Sequence, residues 1–307
     1  MNNSNLAALA AVLALVSAAP AAALDWSDNS FRVQWGPSYR EPGVLKAGTT
    51  DPQDIAKTTL NFSHASGDKL GDTFLSVDMY ISDRYDPAAG QGAPVGSADV
   101  QGATEVFVVG RRNFSLNKIT DSDRFSFSVV RDVALGLGLD IGAKNNAFAS
   151  HIVRPFLGAT FSFKVPGFLN VGVYASKEWN NNGFMHAEGT IAYGGPVSFD
   201  VTPAVLAAWG IPIGKLPLQF AGFANVILPK GKDGFGNDTA TEFITQPKLV
   251  WDVARTFTAA YSGYELAVGY QYWLNKYGED NSLVVNGAKV NNGALAHTFF
   301  FEAAIHL

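Results

Sequence analysis

The chain has no cysteine, which excludes disulfides, thiolate metal sites and a cysteine nucleophile. Charge is sparse: Asp, Glu, Lys and Arg make up 16% of the residues, against about 25% in an ordinary soluble domain. The net charge is −5 and the Lys and Arg residues are scattered, so no basic patch points to a nucleic-acid partner. After residue 23, no window approaches the roughly 20 continuous apolar residues of a membrane-spanning helix. There is no internal repeat of fixed period, no Pro/Gly/Ser-rich linker and no composition shift to mark a domain boundary. What the chain does have is aromatic side chains, 12% of 307 residues with 22 Phe, and 31 glycines spread along its length.

The N-terminus reads as an export signal. Leu6 to Ala19 is an apolar run broken only by Ser17, and Ala21-Ala22-Ala23 follows with the A-x-A spacing of a cleavage site. The preceding Asn2-Asn3-Ser4-Asn5 carries no Lys or Arg. The expected organisation is a cleavable signal peptide over 1–23 and one β domain over 24–307.

Within 24–307, apolar and polar residues alternate with period two, the mark of a strand that presents two different faces. Leu169, Val171, Val173 and Ala175 take one parity; Asn170, Gly172, Tyr174 and Ser176 take the other. The same alternation runs through 31–36, 73–82, 132–141, 153–164, 248–253, 265–275 and 298–307, and more weakly through 55–65, 104–114, 198–209 and 217–228. Breaker-rich stretches at 86–100, 144–146, 180–183, 229–238 and 275–292 separate these runs. The count is about twelve strands, most near the 9–11 residues of a tilted membrane strand.

The polar faces decide which solvent each side meets. They are small or neutral at Gly136, Gly138, Gly158, Gly172, Ala267 and Gly269, with charges appearing singly. A water-facing sheet would carry many Lys, Glu and Thr instead. The apolar faces carry Trp35, Tyr39, Trp251, Tyr270 and Tyr272 near strand ends, as an interfacial aromatic belt requires. The expected fold is therefore all-β: an antiparallel barrel of about twelve strands, in the bacterial outer membrane, with no backbone donor left facing lipid. A secreted sandwich or soluble barrel is the competing architecture.

Several runs resemble the nucleoside-specific channel family of the outer membrane, the Tsx-like channels. They are 24–30 (LDWSDNS), 35–42 (WGPSYREP), 60–67 (LNFSHASG), 77–83 (VDMYISD), 105–109 (EVFVV), 130–133 (VRDV), 165–171 (VPGFLNV) and 177–181 (KEWNN). The resemblance is strongest between Trp26 and Asn181. It implies a twelve-stranded monomeric barrel, folded by the outer-membrane assembly machinery, whose narrow aromatic-lined lumen passes nucleosides and deoxynucleosides. Some members of that family also serve as phage or colicin receptors, so the resemblance admits a phage or colicin as partner, but no receptor role for a particular phage carries over.

Twelve strands lie between barrels filled by their own side chains and broad aqueous porins. A nucleoside offers a flat base and a hydroxylated sugar, so its passage calls for stacking rings beside donors and acceptors. On the polar parity, the candidate stacking residues are Phe74, Tyr80, Phe156, Tyr174, Phe223, Trp273 and Phe300. The candidate hydrogen-bonding residues are Asp78, Arg154, Glu178, Lys248, Asp252, Glu265 and Glu302. Each ring has a competing role as lumen packing, and each charge as an ion pair bracing the wall. Glu178 and Trp179 are expected at the rim, with the chain turning at Asn180–Asn182.

No cofactor or metal is expected. Gly136-Leu137-Gly138 lies on a strand, and Gly142 follows at the wrong spacing for a dinucleotide loop. The 5 histidines show no ligand spacing, and the acidic stretches 121–123 and 233–238 read as solvated loops. The rivals to a passive channel are an outer-membrane hydrolase and a receptor or adhesion barrel with a plugged lumen. Serines occur near strand ends, but sequence alone marks none as a nucleophile.

Overall fold

The computed structural model describes residues 24–86, 88, 102–146, 150–181, 196–234, 236–257, 263–285 and 287–307. The signal peptide expected over 1–23 lies outside the described residues.

The chain runs through β1 (Trp26–Tyr39), β2 (Ile55–Asp68), β3 (Gly71–Ser82), β4 (Thr104–Ser115), β5 (Val130–Lys144), β6 (His151–Phe163) and β7 (Phe168–Ser176). Two short strands follow, β8 (Trp179–Asn181) and β9 (Pro196–Ser198), then β10 (Thr202–Pro212), β11 (Leu218–Ile227), β12 (Glu242–Thr245), β13 (Lys248–Asp252) and β14 (Tyr264–Leu274). A small hairpin of β15 (Val284–Val285) and β16 (Ala288–Lys289) precedes β17 (Ala296–His306). A one-turn helix, α1 (Leu116–Thr120), is capped by the Ser115 hydroxyl. Among the described residues no helix is long and apolar enough to cross a membrane.

The long strands pair antiparallel with their neighbours, and the last closes on the first, with Ser30 opposite His306 and Trp35 opposite Phe301. β12 and β13 share one place in the ring, between β11 and β14, which makes a closed barrel of twelve strands. Pro247 separates the two halves because it has no N–H to give the ladder, although its carbonyl still accepts from Tyr270 N–H. Pro155 acts the same way within β6. Its carbonyl accepts from Lys177 N–H, but the matching donor is missing, so the partner strand breaks between Ser176 and Trp179. That break lets Glu178 turn inward.

The two faces are sorted by parity around the whole ring. Phe31, Val33, Leu60, Met79, Leu157, Val173, Phe299 and Phe301 point outward and stay exposed, while Lys57, Asp140, Arg154 and Glu302 point inward and are buried. In water this arrangement would expose most of the apolar surface and bury the charge; against hydrocarbon it is the stable choice. Inward glycines make room for inward rings. A Cβ at Gly172 would lie 2.1 Å from the Tyr174 ring, and one at Gly269 would lie 2.2 Å from the Phe300 ring.

Two local expectations are corrected. Tyr39 does not join the outer aromatic belt: the register shifts between Gly36 and Tyr39, and this bulge turns Tyr39 inward, where its hydroxyl accepts from Gln34 Nε2 at 2.7 Å. Asn180 and Asn181 do not turn the chain but continue as β8, paired with β9; residue 182 lies outside the described residues.

The barrel's ends differ. Tight connections at 69–70 and 164–167 mark one end, and the long connections 40–54, 83–103, 177–201 and 275–295 mark the other. In outer-membrane barrels the short turns face the periplasm.

Candidate functional site: the barrel lumen

Thirteen of the fourteen lumen candidates lie on the inward parity of a strand, and Glu178 lies at the break between β7 and β8. The structure divides them into three groups.

At the long-connection end, loop residues lean inward and bond to charged residues on the wall. Glu41 meets Lys57, Lys276 at 2.9 Å and Lys144 at 3.4 Å, and Asp86 lies 2.7 Å from Lys144. Glu105, opposite Lys144 in the ladder, balances this group at three carboxylates against three ammonium ions. Burial alone would raise the Glu41 carboxyl, but Lys144, Lys276 and Lys57 outweigh it and hold it well below its ordinary value. A second group centres on Glu178, which meets Arg154 at 2.6 Å and Lys230 at 2.5 Å, with Glu242 3.7 Å from Arg154. Burial opposes ionisation of Glu178, yet Arg154 and Lys230 bring its pKa down to about 2. Trp273 joins the two groups: its indole N–H donates to Glu242 at 2.9 Å, and the Lys276 ammonium lies 4.5 Å from its ring. Tyr277 takes the left-handed φ of 64° beside it, a strained choice for a bulky side chain.

At the waist, Phe156 and Tyr174 pack edge to face with centroids 6.0 Å apart, and the Tyr174 hydroxyl bonds to Thr160 at 2.6 Å. Arg111 sits 4.8 Å over the Phe156 ring and 2.7 Å from Asp140. Phe300 is fully buried against Gly269. These three rings pack into the wall. Phe74, Tyr80 and Phe223 keep part of their surface, Phe74 as much as 38%. Asp78, between Phe74 and Tyr80 on β3, accepts from Asn61 Nδ2 at 2.8 Å.

Toward the short-turn end, Lys248 bonds to Glu302 at 2.5 Å, with Arg32 3.9 Å from the same oxygen. Asp252 and Glu265 face each other across β13 and β14, and with Arg255 they line a cleft of about 130 Å³ at the mouth. No cluster able to hold a metal is found among the described residues.

Sequence reasoning missed Glu41, Lys57, Asp86, Lys144, Lys230, Glu242 and Lys276. The inward parity could have flagged Lys57 and Lys144. The loop partners carry no periodic signal.

One outer-loop group titrates near neutrality. Burial and Asp233 push the Glu279 carboxyl up to about 7, against the opposing pull of Lys230. A carboxyl raised on folding favours the packed loop while protonated. That contribution is complete below its ordinary pKa of 4.5 and is lost as pH rises through about 7. Limited proteolysis of connections 228–241 and 275–295 should therefore accelerate from pH 5 to pH 8. Glu279→Gln should flatten the trend; an unchanged trend in the variant would assign it to another group.

No family model matches the sequence, and no curated protein matches it. Among solved structures, the chain is similar to the translocator domain of the autotransporter NalP from Neisseria meningitidis, at 12% identity and a TM-score of 0.40, over 99% of this chain and 97% of that one. It is similar to the NanC porin at 14% identity and a TM-score of 0.45, over 90% of this chain and 100% of that one. It is also similar to OccK5 from Pseudomonas aeruginosa at 12% identity and a TM-score of 0.28, over 92% and 98%. These likenesses concern the fold and do not set its task. The closed ladder, the apolar exterior and the charged interior do set its place: the chain is an outer-membrane β-barrel.

Proposed function

We propose that the protein is a monomeric channel for passive, selective diffusion of nucleosides. The observation that carries this reading is the inward face of β3. It presents Phe74, Ser76, Asp78 and Tyr80 in sequence: ring, hydroxyl, carboxylate, ring. At about 6.8 Å per two residues, a base stacked on either ring would bring its sugar hydroxyls toward Ser76, Asp78 and Asn61. Each stacking contact contributes about 1–3 kcal/mol, weak enough for a solute to move on when several such sites are shared. Phe223 offers a further ring on β11. Phe156, Tyr174 and Phe300 serve as wall packing in this reading, and Trp273 as part of the outer ion network.

Refolded protein in planar bilayers tests the proposal. Adenosine or thymidine should block ion conductance saturably, and Phe74→Ala with Tyr80→Ala should weaken that block about tenfold or more while leaving a conducting barrel. Equal behaviour of nucleosides and sugars of similar size would overturn nucleoside selectivity.

A further inference from the structure

Three side chains on the outer face, away from the lumen, form a hydrogen-bonded row at the short-turn end. His64 Nδ1 lies 2.8 Å from Asn29 Oδ1, and His64 Nε2 lies 3.0 Å from Ser66 Oγ. Asn29 shares the parity of Phe31 and Val33 on β1; His64 and Ser66 share that of Leu60 and Phe62 on β2. One tautomer satisfies both bonds. With the proton on Nδ1, the ring donates to the Asn29 carboxamide oxygen, and Nε2 accepts the Ser66 hydroxyl proton. This is the order nucleophile, base, orienting group that acyl-transfer sites use. The β1–β2 ladder is already continuous from Trp26 to Gly36, so the strands do not depend on the row for pairing.

The row continues across the sheet. Thr73 on β3 faces Ser66 on one side and Arg112 on the other, and Arg112 Nη1 donates to Thr73 Oγ1 at 2.9 Å. Arg112 also pairs with Asp68 at 2.9 Å. A hydroxyl, an imidazole and an Asp68-paired guanidinium thus share one outward-parity patch, where the apolar band gives way to polar residues.

We propose that Ser66, His64 and Asn29 form an acyl-ester hydrolysis site for glycerophospholipids at the periplasmic headgroup boundary. The Ser66 Oγ bonds to the ester carbonyl carbon as its proton passes to His64 Nε2. The bond from that carbon to the glycerol oxygen then breaks, and the proton moves to the leaving alkoxide, which departs as lysophospholipid. Water attacks the acyl-serine and gives a proton to His64. The acyl–serine bond breaks, fatty acid leaves, and Ser66 recovers the proton. Asn29 is a positioning residue that fixes the tautomer, and Arg112 pairs with the lipid phosphate. Ser66 is only 5% exposed, so the carbonyl must enter beside Thr73, where the phosphate draws Arg112 away. This activity is separate from the channel, because the row faces lipid.

The test uses the purified full barrel, its folding checked by heat-modifiable gel migration. Phosphatidylglycerol in mixed micelles is the substrate, and a fluorophosphonate is the covalent probe. Fatty acid should appear, and the probe should map to Ser66 by mass spectrometry. Ser66→Ala and His64→Ala should each lower release by about 100-fold or more. Asn29→Ala should lower it less and flatten its pH profile, and Asn29→Asp should restore both. Nucleoside block should be unchanged throughout. A folded wild-type barrel that takes no probe at Ser66, or releases fatty acid equally with Ser66→Ala, overturns the assignment whatever the channel result.

Discussion

Replacing Glu41 with alanine should lower the barrel's unfolding free energy by about 3–5 kcal/mol, the usual cost of removing one partner from a buried ion pair. Glu41 is buried and meets three lysines, Lys57, Lys144 and Lys276. Without it those ammonium ions keep only Asp86 and Glu105, and two of them crowd at the wall with less than their charge compensated. Two outcomes share this cause. Unfolding by urea in lipid vesicles should shift to lower concentration, and connection 275–295, which carries Lys276, should become open to protease. Glu41→Gln should recover part of the hydrogen bonding but little of the charge. A variant as stable as the wild type would show that water reaches this group and that it does not hold the loops inward.

Val173→Arg should impair folding into bilayers by about 2–4 kcal/mol, the cost of a guanidinium on the lipid face at mid-depth. Val173 is 51% exposed on the outer face of β7, between Val171 and Ala175. The neighbouring residue reverses the environment: Tyr174 is buried in the interior against Phe156 and Thr160. The folded fraction at increasing urea gives the comparison, with Val173→Leu as the control near zero. If arginine at 173 folded as well as leucine, the outer face would be wet and the assignment of faces reversed.

The alternation of side chains was enough to read both faces of most strands, because lipid on one side and the interior on the other impose period two with few exceptions. Phe156, Tyr174, Lys248 and Glu302 were all placed on the inner parity this way. Parity does not reveal packing. Tyr174 and Phe300 lie against the wall because glycines leave room for them: Gly172, two residues earlier on the same face of β7, and Gly269, opposite Phe300 on β14. Tyr39 was misplaced because a bulge breaks the period. β12 carries too short an alternation to stand out, four residues before Pro247 ends its run. The ion groups were invisible for a different reason: Glu41, Asp86, Lys230 and Lys276 lie on irregular connections and find partners only through the closed tertiary fold. Asn29 and His64 stand 35 residues apart and meet only through the register of β1 and β2.

The absence of native cysteine makes the central claim directly measurable. Phe74 and Met79 lie on the same strand with nearly equal exposure, 38% and 40%, but on opposite faces. Single substitutions Phe74→Cys and Met79→Cys, folded into lipid vesicles, can be challenged with a water-soluble thiol reagent and with lipids carrying a quencher along the acyl chain. The account predicts fast aqueous modification and no lipid quenching at 74, and the reverse at 79. Equal reaction of both thiols with the aqueous reagent would contradict it.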